Sequence, residues 1–119
     1  MAATLYDSEL KVMETLWREG TLTAKRVTEI LKDEIGWNKN TTYTVIKKCV
    51  DKGYIRRDEP DFQCIPLITR EEACRDMTNE LIDRMFKGSS ELFFSAFLKG
   101  KGLDEKQVSR LMKMIQESK

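Results

Sequence analysis

The sequence predicts a mainly α-helical protein with one small β-hairpin: an N-terminal winged helix-turn-helix over residues 1–68 and a C-terminal helical dimerisation domain over residues 69–119. Three observations predict it. Apolar residues recur at three- and four-residue spacing in three consecutive segments, each closed by glycine. A short extended stretch, an acidic Pro-containing turn and a second extended stretch follow. The remainder then reads as helix again, with more apolar surface than a lone small domain needs.

The first helix covers roughly residues 7–19, with Leu10, Met13, Leu16 and Trp17 on one face and Gly20 as its stop. Thr4 and Asp7 are both acceptable N-caps. The second helix starts at the N-cap Thr23 and runs to about Ile35, with Val27, Ile30, Leu31 and Ile35 apolar and Gly36 as C-cap. Trp37 is expected to anchor the turn into the core. Asn38 or Asn40 caps the third helix, which ends at Gly53.

That third helix carries the chemistry. Thr42, Val45, Ile46, Cys49 and Val50 fall on its inner side, and Asn40, Thr41, Thr44, Lys47 and Lys48 on its outer side. Small polar side chains can reach base edges and lysines can reach phosphates. From Trp37 to Arg57 six basic residues (Lys39, Lys47, Lys48, Lys52, Arg56, Arg57) stand against one acid, Asp51. A solvated helix face is the plain alternative for such a pattern. The context favours double-stranded DNA, because three helices and a hairpin place the third helix in a major groove. Residues 54–57 and 62–65 make the hairpin strands, and Asp58, Glu59, Pro60 and Asp61 the turn. An acidic tip is unsuited to entering a groove, so Arg56 and Arg57 at its base are the phosphate candidates there, beside Lys39, Lys47 and Lys48.

Pro66 ends the hairpin, and Thr69-Arg70-Glu71-Glu72 is a capping box that opens a long helix. Cys74, Met77, Leu81, Ile82 and Met85 are its expected apolar face. After Gly88-Ser89-Ser90 comes a short helix, apolar nearly all round, with Leu92, Phe93, Phe94, Ala96, Phe97 and Leu98. Such a helix is expected to be covered on several sides. Asp104 with Gln107 opens a last helix whose face is Val108, Leu111, Met112 and Ile115. Three apolar helical faces with little to cover them either pack back on the N-terminal domain as a single core or, the favoured reading, build a homodimer from Leu81, Met85, Leu92, Phe93, Phe94, Phe97, Leu98, Val108, Leu111, Met112 and Ile115. Twofold symmetry then sets two recognition helices on a palindromic site.

Composition narrows the function classes. The 119 residues carry a net charge of +1, so any nucleic-acid surface must be local. Cys49, Cys64 and Cys74 lie far apart and there is no histidine, which argues against a metal site and removes the usual general base. No cofactor is expected, and no enzyme, since paired carboxylates in an apolar setting and a phosphate-binding glycine loop are also missing. No signal pattern or membrane-length apolar run is present, which implies a cytoplasmic protein without membrane attachment.

In motif order the chain resembles the penicillinase repressor family of bacterial transcription regulators. The residues are Glu9-x-x-Val12-Met13-x-x-x-Trp17, then Trp37-x-x-x-Thr41-x-x-Thr44-x-Ile46-x-Lys48 leading to Lys52-Gly53-Tyr54-Ile55, then Phe86-x-Gly88-Ser89 and Leu103-Asp104-Glu105. The resemblance implies a dimeric repressor that occludes promoters at palindromic operators. It places Asn40, Thr41, Tyr43 and Thr44 toward bases and Lys48 on the same helix as a basic contact. Tyr43 and Thr42 depart from the family's usual residues, which points to a different operator, and the wing is shorter. The family's scissile Asn-Phe pair is here Ala96-Phe97, and the paired C-terminal cysteines of copper-responsive members are absent. A sensor protease or a small-molecule inducer stays open as the releasing partner. A winged-helix protein-interaction module without DNA is the alternative, favoured by the acidic wing and near-neutral charge.

Overall fold

A computed structural model describes residues 3–118. They form, in order, α1 (Asp7–Glu19), β1 (Leu22–Thr23), α2 (Ala24–Ile35), α3 (Lys39–Asp51), β2 (Ile55–Asp58), β3 (Gln63–Pro66), α4 (Arg70–Met85), α5 (Ser90–Lys101) and α6 (Glu105–Glu117). The chain divides into two compact units, 1–78 and 79–119. No helix among the described residues is long and apolar enough to cross a membrane.

In the first unit, α1, α2 and α3 enclose Val12, Met13, Leu16, Ala24, Val27, Leu31, Val45, Ile46 and Cys49, with Ile55 and Cys64 beneath them from the sheet. Three buried threonines sit inside these helices without stranding a hydroxyl. Thr15 donates to the Lys11 carbonyl (3.0 Å), Thr28 to Lys25 (2.6 Å) and Thr42 to Asn38 (3.4 Å). Each satisfies its polar atom on the preceding turn of its own helix. The Trp17 indole donates to the Ile68 carbonyl at 2.9 Å, tying α1 to the approach to α4.

Helix ends follow side-chain chemistry. Thr23 accepts from the Arg26 amide, Asn38 from Thr41 and Ser89 from Leu92, each satisfying an otherwise unpaired first-turn donor. Reciprocal capping boxes join Thr69 to Glu72 and Asp104 to Gln107. Gly36 closes α2 at φ 73°, in the left-handed region that glycine enters freely, and its amide reaches back to the Lys32 carbonyl. The α1 N-cap is Tyr6 rather than Thr4 or Asp7. The Glu9 carboxylate, at the third helical position, accepts the Tyr6 amide at 2.9 Å, the return half of a capping box.

Four further features differ from the sequence expectations. The hairpin is part of a three-stranded antiparallel sheet of order β1-β3-β2, because Leu22 and Thr23 pair with Cys64 and Gln63. Phe62 is not extended: its φ of 49° places it in the left-handed region, and its carbonyl accepts the first amide of α2 at 2.9 Å. On α4 Ile82 is buried as expected, but in the first turns the buried residue is Ala73, one position before the expected Cys74, which is exposed. Ile35 of α2 is also exposed.

The cysteines consequently differ in reactivity. Burial pushes the Cys49 thiol up to about 12 and the Cys64 thiol up to about 11, so both stay protonated at neutral pH. A thiol titration of the native protein at pH 8 is expected to show one fast-reacting group, Cys74, and two more only after denaturant. A second fast thiol in the native protein contradicts the sealed core.

Candidate nucleic-acid interface

The outer face of α3 is the candidate site. Asn38 fixes its start, so the first turn begins at Lys39. Helical periodicity then sends Thr42, Val45, Ile46 and Cys49 into the core, and Asn40, Thr41, Thr44, Lys47 and Lys48 outward. These five are all exposed and lie on one stripe. The Thr44 hydroxyl donates to the Asn40 carbonyl at 2.9 Å, which leaves its oxygen lone pairs facing solvent. A shallow groove beside this stripe is lined by Ser8, Asn38, Asn40, Thr41, Thr44, Val45 and Lys48. Ser8, from the first turn of α1, carried no signal in the sequence; only the packing of α1 across α3 brings it there.

Tyr43 sits differently from the other three base-contact candidates. It is half-buried, with its ring 6.0 Å from that of Phe62 and the Lys39 ammonium 5.9 Å from its centroid. The Arg57 guanidinium lies 3.8 Å from the Phe62 centroid. Lys39, Tyr43, Phe62 and Arg57 therefore form a continuous cation–aromatic stack from the start of α3 to the wing.

The six basic residues of this region are not equivalent. Among the described residues Lys47 and Lys48 form no ion pair. Lys52 points inward: its ammonium is 2.8 Å from a Glu9 oxygen and 4.4 Å from the Tyr6 ring centroid. The hydrogen bond to Glu9 raises the Lys52 pKa above its ordinary value, with burial acting the other way. Arg56 pairs with Asp58 at 3.0 and 3.3 Å, and Arg57 pairs with Glu59. The positive charge of the site that forms no ion pair among the described residues therefore lies on α3, while both wing arginines are paired with carboxylates.

In the second unit the apolar residues expected to dimerise are largely exposed: Leu81, Met85, Leu92, Phe94, Phe97, Leu98, Val108, Met112 and Ile115. Only Phe93 and Leu111 of that set are half-buried. Phe93 is the hub, with the rings of Phe86, Phe94 and Phe97 at 5.6, 5.4 and 6.4 Å. Among the described residues, Leu92, Phe94, Phe97 and Leu98 of α5 are exposed, although the sequence implies coverage of this helix on several sides.

Comparison with known proteins gives a consistent result. Residues 5–117 match the sequence model of a family described as penicillinase repressor. The chain is similar to the methicillin resistance regulatory protein MecI of Mammaliicoccus sciuri, 21% identical over 110 residues that span 91% of this chain and 89% of the relative. The same figures hold for MecI of Staphylococcus aureus strain N315. In structure it is similar to the solution structure of the DNA binding domain of the repressor BlaI, with a TM-score of 0.54 at 22% identity, covering 60% of this chain and 93% of that one. That likeness speaks for the winged-helix fold.

Proposed function

We propose, from the premise that the chain belongs to the penicillinase repressor family, that it is a homodimeric transcriptional repressor acting on double-stranded DNA in the cytoplasm. The dimer covers a palindromic operator and denies the promoter to polymerase. Residues 1–68 bind DNA and residues 69–119 dimerise. The repressor and regulatory names of its relatives support this direction.

The observation that carries the proposal is the exposed stripe of Asn40, Thr41, Thr44, Lys47 and Lys48 on a helix whose opposite face is sealed into the core. A helix held this way presents amides and hydroxyls to base edges at one end and ammonium groups to phosphates along its length. Asn40, Thr41 and Thr44 read bases directly. Tyr43 reaches the same groove from its seat against Phe62. Lys39, Lys47 and Lys48 bind phosphates, with Arg56 and Arg57 available when their carboxylates give way.

The test is a DNA titration with the promoter region beside the protein's own gene, a scrambled duplex as control, and two salt concentrations. The expected result is preferential binding that weakens steeply with salt, with a footprint symmetric about a dyad. Thr44→Ala is expected to lower promoter affinity about tenfold, one lost base contact, while leaving the scrambled duplex unaffected. Absence of any salt-sensitive DNA binding would favour a protein-interaction module instead. Equal loss on both duplexes would remove Thr44 from base recognition.

A further inference from the structure

We propose that Asp58 and Glu59 are resident counter-anions that screen Arg56 and Arg57 from DNA, so that the wing contributes little to phosphate binding until those carboxylates are displaced. The inference rests on the DNA-binding role proposed above and concerns how this chain's wing tunes it.

Strand geometry builds the screen. Side chains two residues apart in an extended chain share a face. The run Arg56-Arg57-Asp58-Glu59 therefore places Arg56 beside Asp58 on one face of β2, and Arg57 beside Glu59, the first turn residue after the strand. Both pairs are formed. Arg56 presents Nε and Nη2 to the two Asp58 oxygens, the same two-pronged arrangement that an arginine offers a phosphate. Arg57 gives its Nε to Glu59 while its guanidinium plane is held against Phe62. Phe62 is itself fixed by the Ala24 amide on its carbonyl and by Tyr43 on its ring. The Arg57 pair is thus held in register with α3.

Charge completes the argument. The wing from Arg56 to Asp61 contains two arginines and three carboxylates (Asp58, Glu59, Asp61), so its sum is 2 − 3 = −1. A neutral arginine–carboxylate pair brought to DNA displaces no condensed cation, and affinity of the counterion-release kind is forfeited. Exposed pairs of this type are weak, so phosphate can compete for the arginines, though each displaced acid is left beside the DNA. Sequence-independent affinity then comes mainly from the α3 lysines, and base contacts carry a larger share of the total.

The experiment compares wild type, Asp58→Asn/Glu59→Gln, and the same double variant with Arg56→Ala and Arg57→Ala added. Affinity is measured on a scrambled duplex and on the promoter duplex across a salt series. Arg56, Arg57 and Glu59 are exposed and Asp58 is half-buried, and unchanged far-UV circular dichroism verifies folding. The double variant is expected to bind both duplexes about tenfold tighter near physiological salt, roughly threefold per added phosphate contact. Its plot of log affinity against log salt is expected to steepen by about one for each arginine released. The gain is equal on the two duplexes because phosphates carry no sequence information. Removing the arginines is expected to abolish it. Unchanged affinity and slope in the double variant, with wild type binding normally, overturns the screen and leaves the repressor proposal standing. A gain that survives loss of both arginines also overturns it, since plain repulsion by the acids then accounts for the effect. Failure of wild type to bind either duplex removes the DNA-binding role and the screen together.

Discussion

Replacing Lys52 with methionine is expected to destabilise the first unit by about 3 kcal/mol, the lower end for breaking a buried ion pair from one side. Glu9 is 1% exposed, and its Oε1 accepts from both the Lys52 ammonium and the Tyr6 amide. Its Oε2 is buried with no hydrogen-bond partner among the described residues. Lys52 is therefore the compensating charge for a carboxylate that water does not reach. The lower end of the range applies because the Lys52 side chain is 33% exposed, which gives solvent a way in once the ammonium is gone. The same lysine donates to the Thr4 carbonyl at 3.4 Å, and the Tyr54 hydroxyl both donates to that carbonyl and accepts the Thr4 amide. The segment before α1 is thereby fastened to the C-terminal end of α3.

Urea unfolding at pH 7 measures the effect. The control is Arg18→Ala, which breaks the solvent-exposed 3.0 Å pair with Glu34 and is expected to leave stability nearly unchanged. Adding Glu9→Gln to Lys52→Met is expected to recover part of the loss, because no buried charge then remains. Equal, small losses for Lys52→Met and Arg18→Ala would show that the buried pair is idle. The pH dependence has a definite sign. The Lys52 pKa is raised in the folded state, so its contribution is fully present below the ordinary lysine value of about 10.4 and is lost as pH rises through the folded value. The stability gap between wild type and Lys52→Met is expected to hold through neutral pH and narrow only in strong alkali.

This pair also marks where sequence reasoning stopped. The periodicity of α1, α2 and α3 announces each helix and its buried face, and the division of α3 into core and outer stripe follows from spacing alone. Which of its neighbouring cations are available for DNA does not. Lys52 counts as basic surface in the sequence, yet its partner Glu9 is 43 residues earlier and meets it only after α1 has packed on α3. Arg56 and Arg57 are different. Strand alternation implies the Arg56–Asp58 pair, because β2 extends far enough to include Asp58, which the sequence places in the turn; the Arg57–Glu59 pair reaches just past the strand end.

The other differences have equally local causes. Leu22 and Thr23 are too few to signal a strand, and their partner β3 lies some forty residues on, so β1 is invisible without the tertiary fold. Ala73 and Cys74 are both small and apolar, and a shift of one position along α4 exchanges which is buried. Phe62 looks like the start of a strand because aromatic residues favour strands. Its left-handed backbone is held by a hydrogen bond to α2 and a ring contact to Tyr43, neither of which composition reveals.

The largest expected effect on function belongs to Phe94→Glu. Phe94 is 50% exposed in the single chain, on a helix that also exposes Leu92 and Leu98, and Met112 of α6 is 56% exposed. For a monomer, exchanging a half-exposed ring for a carboxylate is close to neutral in stability and improves solubility. For a twofold dimer that buries this face, the substitution places a carboxylate on each side of the same apolar seam, with desolvation unpaid on both. The two situations therefore give opposite results from one change. Sedimentation at micromolar concentration is expected to show wild type as a dimer and Phe94→Glu as a monomer of unchanged helicity, with Phe94→Leu remaining dimeric. Promoter affinity should then fall by about 10²–10⁴, because each winged helix must find its half-site without the effective concentration that the partner provides. The core of the first unit and the α3 stripe are untouched by the change, so residual binding is expected to keep its salt dependence and its Thr44 preference. A Phe94→Glu protein that sediments and binds like wild type would remove this face from the dimer interface, and a wild type that sediments as a monomer would remove the dimer itself.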